Sequence, residues 1–335
     1  VTRPVDRIVG LGFEDVIKGT EGLGAIASNM DYSNANGVSL SVGRTDWAAF
    51  PTVAGSDAQS SSVRRTGRDY VAEAITALGQ SKSGAKRDVV LVVDTMVDGW
   101  ISRDASVAGY NADGQRSTEF ASMSQLESGA VGKAIVALAG EVAGRYHPTS
   151  VSLTELINAE YTFGSDDLAS FKAQSGRSDW PRLAGGAIDA WNPAIGKWRS
   201  AVVAGLVARA AAATHEDDVS LWMEVRANWS DPGQSRIESG HDYKLLLNAA
   251  DKLVLWGYFA TADRPASALL AQARAVQDLA PGRFVMSIGM WADGDATITG
   301  RQLTAGLRAT AKGGVRSVWI TPTSKMSASH WKALR

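Results

Sequence analysis

The sequence predicts an α/β fold of the (β/α)8 TIM-barrel class, and three observations carry that prediction. Short apolar, β-rich segments alternate with longer Ala-rich or amphipathic stretches, the pattern of parallel strands joined by crossover helices. Eight such pairs can be counted, and 335 residues accommodate the roughly 250 of a barrel with loop insertions to spare. No Gly-x-Gly-x-x-Gly fingerprint follows a strand: Gly10-Leu11-Gly12 lacks the third glycine and the acidic ribose partner, which disfavours the competing doubly wound open sheet.

Strand one is read at residues 7–13 (RIVGLGF), followed by a helical stretch at 22–32 where Leu23, Ile26, Ala27 and Met30 recur at helical spacing. Residues 37–42 (GVSLSV) make strand two, and 63–78 its partner helix, with Val71, Ala74, Ile75 and Leu78 on one face. Residues 89–93 (VVLVV) are apolar on both sides, as a buried parallel strand requires. A helix over 130–145 leads into strand four at 151–154 (VSLT), and one over 198–214 into strand five at 219–225 (VSLWMEV). Strands at 252–256, 283–288 and 316–320 complete the ring, with helices at 242–249, 265–279 and 299–313 and a short closing helix from Ala328.

The surplus length falls at 43–62, 94–129 and 155–197, giving long βα loops after strands two, three and four. In a barrel those loops build the active-site face. The whole of 1–335 is read as one catalytic domain.

Composition removes several alternatives. Thirty-four basic against thirty-five acidic residues leave a net charge of -1, so no global field recruits nucleic acid or an anionic membrane. The absence of cysteine rules out disulfides, thiolate nucleophiles and cysteine-ligated zinc. No apolar run reaches the about 18–20 residues of a membrane span. The start at Val1, without a charged-then-apolar leader, reads as a mature product or an excised domain. His147, His215, His241 and His330 are isolated, so neither a metal motif nor a Ser-His-Asp order emerges, and no metal is expected. Phosphate-binding and nucleophile-elbow glycine motifs are missing as well.

Polar residues at the C-terminal ends of barrel strands converge on one opening. Here those ends carry Glu14 and Asp15, then Arg44, Asp46 and Trp47, then Asp94, then Glu155. The later strands carry Glu224 and Arg226, Trp256 and Tyr258, Trp291 and Asp293, and finally Trp319 and Thr321. Paired carboxylates are what glycosidic bond cleavage needs, one protonated for the leaving oxygen and one ionised as nucleophile or base, with no cofactor required. Flat aromatics complement them, because the apolar face of a sugar packs on an indole while its hydroxyls bond to nearby polar groups.

Glu155 follows Val-Ser-Leu-Thr with no turn residue between, so it projects from a strand tip, where a capping Glu is uncommon. Glu224 alternates with Met223 and Val225, which places it with Ser220, Trp222 and Arg226 on the barrel-interior face. A Glu/Arg pair there is costly to bury without partners or purpose, so structural pairing with Arg226 and catalysis both remain open for it. Asp94 is a third acid, able to raise a neighbour's pKa or simply to anchor a loop. Asp15 and Asp46 stand where helix capping is common, and Glu160 is a rival to Glu155 deeper in the loop.

Of eleven tryptophans, Trp47, Trp100, Trp256 and Trp291 fall on or just after strand tips and are the sugar-stacking candidates, with Tyr258 beside them. Trp222, Trp198 and Trp331 read as packing, and Trp180 and Trp191 as walls of the fourth loop. Arg44 and Arg226 would orient a carboxylate or hold hydroxyls, and Asp46 and Asp94 would bond substrate or tune pKa.

The fourth unit, VSLTELINAEYTFGSDDLASFKAQSGRSDWPR followed by WNPAIGKWRSAVVAGLVARAAAA, resembles glycosidase-like barrels similar to the hydrolase domain of the poly-N-acetylglucosamine processing protein. The shared features are a strand ending in an acid, an FG-x-DD element and a Trp-Arg helix, covering about half of the chain. The resemblance implies a (β/α)8 fold, an extracellular or cell-envelope polysaccharide as substrate, and Glu155 at the position of the family's strand-four acid. The chain departs from the common retaining plan of acids on strands four and seven, since strand seven ends SIGMWAD with no Glu. Glu155 with Glu224, on strands four and five, is the expected pair, in undecided order. The rival expectations are a non-catalytic carbohydrate-binding barrel, for example in a phage tail or envelope assembly, and a lyase or isomerase of small metabolites.

Overall fold

Short segments rich in Val, Ile and Leu, with small Ser residues such as Ser39, Ser152 and Ser287 buried among them, become strands covered on both faces: β1 (Asp6–Leu11), β2 (Gly37–Arg44), β3 (Asp88–Asp94), β4 (Ser150–Thr154), β5 (Ser220–Arg226), β6 (Lys252–Trp256), β7 (Phe284–Gly289) and β8 (Ser317–Thr321). The computed structural model describes residues 4–157 and 160–335. Each strand pairs in parallel with the next, and β1 pairs with both β2 and β8, closing the ring. Helices between the strands cover the outside, so the fold is the expected (β/α)8 barrel.

Strand alternation sorts the core into two layers. Ile8, Val90, Val92, Trp222, Val254, Val285 and Trp319 fill the bore. Their neighbours in sequence, among them Val9, Leu91, Leu221, Met223 and Val225, face outward into the larger core under the helices. Trp222 and Trp319 are large for a barrel interior, and Gly10 makes room for one of them. A Cβ at Gly10 would lie 2.7 Å from Trp319 Nε1.

Several boundaries move from the sequence reading. β1 stops at Leu11 because Gly12 begins the short helix Phe13–Val16. The helix expected at 63–78 is two, Ser61–Thr66 and Tyr70–Leu78, broken where Gly67 turns left-handed (φ 66°) and restarted by Asp69, whose side chain accepts from Ala72 N at 2.9 Å. The helix expected from Trp198 begins at Pro193, whose fixed φ suits a first turn, with the Asn192 side chain capping Ala194 N.

The long loops are structured. That after β3 contains a helix, Asp98–Arg103, and a hairpin of Ala108–Tyr110 against Arg116–Ala121. That after β4 contains the helix Ser165–Ser175, with Asp166 and Asp167 in its first turn as expected of an acidic pair. Among the described residues no helix is long and apolar enough to cross a membrane.

Candidate active site

Strand tips β1, β2, β3, β4, β5, β6, β7 and β8 surround a cavity of about 890 Å³. Its first wall depends on a β-bulge in β2, between Ser41 and Gly43. Gly43 has φ 118°, and a Cβ there would sit 2.1 Å from the Trp47 carbonyl, so only glycine lets the chain double back and pair Trp47–Ala48 antiparallel with Gly43 and Arg44. The fold-back places Arg44, Asp46 and Trp47 on the cavity.

Arg44 is committed to carboxylates. Its Nε donates to Asp94 Oδ2 at 3.0 Å and its Nη1 to Asp98. Burial raises the Asp94 carboxyl above its usual range, opposed by Arg44 and by the Met96 N–H that donates to Oδ1 at 2.8 Å. Asp46 accepts from Trp100 N at 2.7 Å, so its carboxylate caps the helix Asp98–Arg103 from across the loop while still lining the cavity. The helix-capping alternative for Asp46 is therefore realised.

Glu155 and Glu224 line this same cavity. Glu155, the residue after β4, is held left-handed at φ 63°, a conformation that costs a non-glycine residue about 1 kcal/mol or more. Burial, and then the charge of Asp94, push its carboxyl up to about 7, against the pull of Arg44. Asp94 thus raises its neighbour as a third acid can. Glu224, 8% exposed within β5, accepts from Trp256 Nε1 at 2.7 Å. Burial comes first for it too, and Glu155 adds to it, pushing the group up to about 7 despite the hydrogen bonds from Trp256 and Thr154.

Beside Glu224, on the next strand tips, stands an aromatic wall. The rings of Trp256 and Tyr258 stack at 5.6 Å and 11°, and Trp291 tilts against Tyr258 at 5.3 Å. Trp319 lies at the base of the cavity with its buried Nε1 unpaired among the described residues.

Two expected site residues lie elsewhere. Trp100 lines neither this cavity nor its neighbour and packs half-buried on the core. Arg226 does not pair with Glu224, correcting the structural-pair alternative. The twist of β5 carries it past the wall of Trp256 and Tyr258 into an adjoining cavity of about 570 Å³, where its Nη1 donates to Ser239 Oγ at 3.0 Å. Trp180 and Trp191 do not wall a groove: Trp180 is buried, stacked on Phe171 at 4.6 Å, and Trp191 is 79% exposed away from both cavities.

The FG-x-DD and Trp-Arg elements sit behind the loop rather than in the cavity. Asp167 accepts from Ser124 N at 3.0 Å, Trp198 Nε1 donates to Ser170 Oγ at 2.9 Å, and the buried Arg199 donates to Thr162 Oγ1 at 2.8 Å. These bonds tie the third and fourth loops and the long helix into one support.

His241 was not singled out from the sequence, where an isolated histidine carries no signal. It is fully buried, accepts from Arg226 N at Nδ1 (3.0 Å) and donates from Nε2 to the Leu156 carbonyl (2.8 Å). It therefore clamps the residue after Glu155 to the end of the strand that carries Glu224. Burial keeps it neutral, lowering its pKa to about 4.

The structure is similar to the PgaB (BpsB) glycoside hydrolase domain from Bordetella bronchiseptica, with TM-score 0.67 and 14% identity over 98% of this chain and 97% of that one. It is similar as well to α-L-fucosidase isoenzyme 2 from Paenibacillus thiaminolyticus (TM-score 0.66, 14% identity, 98% of this chain and 48% of that one). A third similar structure is β-galactosidase from the psychrophilic Marinomonas ef1 (TM-score 0.68, 12% identity, 98% and 58%). The chain spans about half the length of the fucosidase and nearly all of the PgaB domain. At these identities the likeness establishes the fold, a TIM barrel of the kind found in glycoside hydrolases. At the level of sequence, no family model and no curated protein matches.

Proposed function

We propose that this protein is a glycoside hydrolase that cleaves a glycosidic bond in an oligosaccharide or polysaccharide, with Glu155 and Glu224 as its paired carboxylates. The observation that carries the reading is that a half-buried Glu155 and a buried Glu224, from adjacent strand tips, line one cavity, both pushed up to about 7, beside a stacked aromatic wall. Paired carboxyls titrating near neutrality suit acid–base chemistry on a glycosidic bond. The glycoside hydrolases among the similar structures support the same reading.

The environments divide the roles. No donor reaches the Glu155 carboxyl among the described residues, so it keeps its proton and delivers it to the leaving-group oxygen as the glycosidic C–O bond breaks. Glu224 accepts the indole N–H of Trp256, which favours its ionised form, and acts as base or nucleophile toward the anomeric carbon. If Glu224 is the base, it takes a proton from the water whose oxygen joins that carbon, and solvent reprotonates Glu155; if it is the nucleophile, it forms a glycosyl ester that water then cleaves, giving its proton to Glu155 and freeing the Glu224 carboxylate. Trp47, Trp256, Tyr258 and Trp291 offer faces to the sugar, and Arg44 holds Asp94 in place beside Glu155. We place the glycan in the extracellular space or the cell envelope on the strength of the fourth-unit resemblance.

The test is release of reducing ends from a panel of oligosaccharides. E155Q and E224Q should each lower turnover by about 10²–10⁴-fold while remaining folded. A folded E155Q with full activity would overturn the assignment, and binding without product release across the panel would make the protein a carbohydrate-binding barrel.

A further inference from the structure

The second cavity adjoins the first and shares with it the wall of Trp256 and Tyr258, so a ligand that leaves one cavity over this wall enters the other. Three further aromatics, Phe120, Tyr161 and Trp229, line it, with Phe120 from the third-loop hairpin stacked on Tyr161 from the fourth loop at 6.2 Å and 25°. Aromatic faces at this spacing extend a sugar-binding surface beyond a single ring.

The charges in this cavity are not balanced alike. Three arginines line the two cavities. Arg44 is neutralised by Asp94 and Asp98, and Arg236 by Glu238. Arg226 has no carboxylate within ion-pair distance among the described residues. Its only side-chain bond there is from Nη1 to the Ser239 hydroxyl, which leaves Nε and Nη2 of the fork free for a ligand. Its backbone N–H is bonded to His241 and its Nη1 to Ser239, so both ends of the side chain are restrained before any ligand arrives. Burial and the neighbouring Arg236 both weaken its charged form, a strain that an incoming anion relieves. Two acids oppose this preference: Glu238, which also acts on Arg226 although it is paired with Arg236, and Glu160, which stands exposed on the same cavity.

We infer that the second cavity is a subsite for the sugar next to the cleaved bond, and that this sugar carries an anionic group, a carboxylate or a sulfate or phosphate ester, held by Arg226. The inference rests on the hydrolase reading for the word "subsite" and on the geometry of Arg226 for the charge. A planar guanidinium with two open N–H groups matches such oxyanions better than it matches a hydroxyl.

The test uses the full chain and five probes: glucuronate, glucose 6-sulfate, glucose 6-phosphate, glucose and glucosamine, with affinities from saturation-transfer NMR titrations. At least one anionic sugar should bind about tenfold more tightly than glucose, the size expected of one charge-assisted contact. That excess should vanish in R226Q, persist in reduced form in R226K, which keeps the charge without the fork, and be unaffected by E155Q. If R226Q fails to fold, the R226K comparison decides, since an unreduced preference there removes the guanidinium from the contact. Preference for glucuronate identifies a uronic acid, and preference for the esters a sulfated or phosphorylated glycan. Equal binding of all five, tighter binding of glucosamine, or a preference that survives in R226Q would overturn the inference. A protein inactive on every glycan that still shows the Arg226-dependent preference would retire the hydrolase reading alone; an active hydrolase without it would retire this inference alone.

Discussion

The indole N–H of Trp256 donates to Glu224 Oε2 at 2.7 Å, linking the wall between the two cavities to the carboxylate proposed as base or nucleophile. The bond joins adjacent strands, β5 and β6, through residues 32 positions apart. It favours the ionised carboxylate, so its loss has a defined direction. W256F removes the donor and raises the Glu224 pKa above its native value of about 7. The acidic limb of the rate profile should therefore move to higher pH, with a larger loss of activity at pH 6 than at pH 8. A uniform loss at both would show that Trp256 contributes only a sugar platform.

The same burial makes stability depend on pH. Glu224 titrates near 4.5 when unfolded and about 7 when native, so its native protonated form favours folding fully below 4.5, and that contribution is lost as pH rises through 7. E224Q has no such titration. Relative to the native sequence it should gain stability between pH 4.5 and pH 8, by an amount of order a few kcal/mol. Urea unfolding of both proteins at the two pH values reads the difference, and a gap that does not change with pH would refute it.

Glu155 combines backbone strain with its proposed role as proton donor. At φ 63° a glycine is at ease where glutamate is not, and glycine also removes a carboxyl that is costly to bury. E155G should abolish turnover and at the same time raise the unfolding free energy at pH 8 by about 1 kcal/mol. An inactive but destabilised variant would show that the left-handed turn is not under strain.

His241 works in the opposite sense. Its pKa falls from 6.5 to about 4 on folding, so the unfolded chain binds the proton first, and stability is lost as pH drops through that window. H241F leaves Arg226 N and the Leu156 carbonyl without partners and should cost about 2–4 kcal/mol at pH 8. The deficit should narrow on acidification to pH 4, where the native protein loses the benefit of a neutral histidine. Denaturant titrations across that range give the answer; a deficit constant in pH would mean that His241 only fills space.

Much of this was legible from local pattern. The segment at 252–256 has in the structure the bounds that its pattern predicts, because a short apolar run, Leu253 to Leu255, between Asp251 and Gly257 is too brief for a competing helical period. Glu155 was readable because no turn residue separates it from the strand. The break at Gly67 was not, since Val71, Ala74 and Leu78 keep helical spacing on their own side of it. Trp100 misled for a related reason: sequence distance from a strand tip says nothing of direction, and a six-residue helix turns it to the core.

Local pattern alone was enough for the eight strand–helix pairs of the ring, from the alternation of short apolar and longer helical segments, and for the inward face of Glu224, from the period of two along its own strand. The carboxylates and indoles at the mouth follow from their place just after apolar runs. Which tips share a hollow was decided only by closure. The partner of Glu224 is Trp256 and not the nearby Arg226, because neighbouring strands in a twisted ring lie closer, side chain to side chain, than residues two apart on one strand whose tip leans away. His241 likewise gains its meaning from two backbones that meet only after folding, a contact between positions 85 apart that no local period encodes.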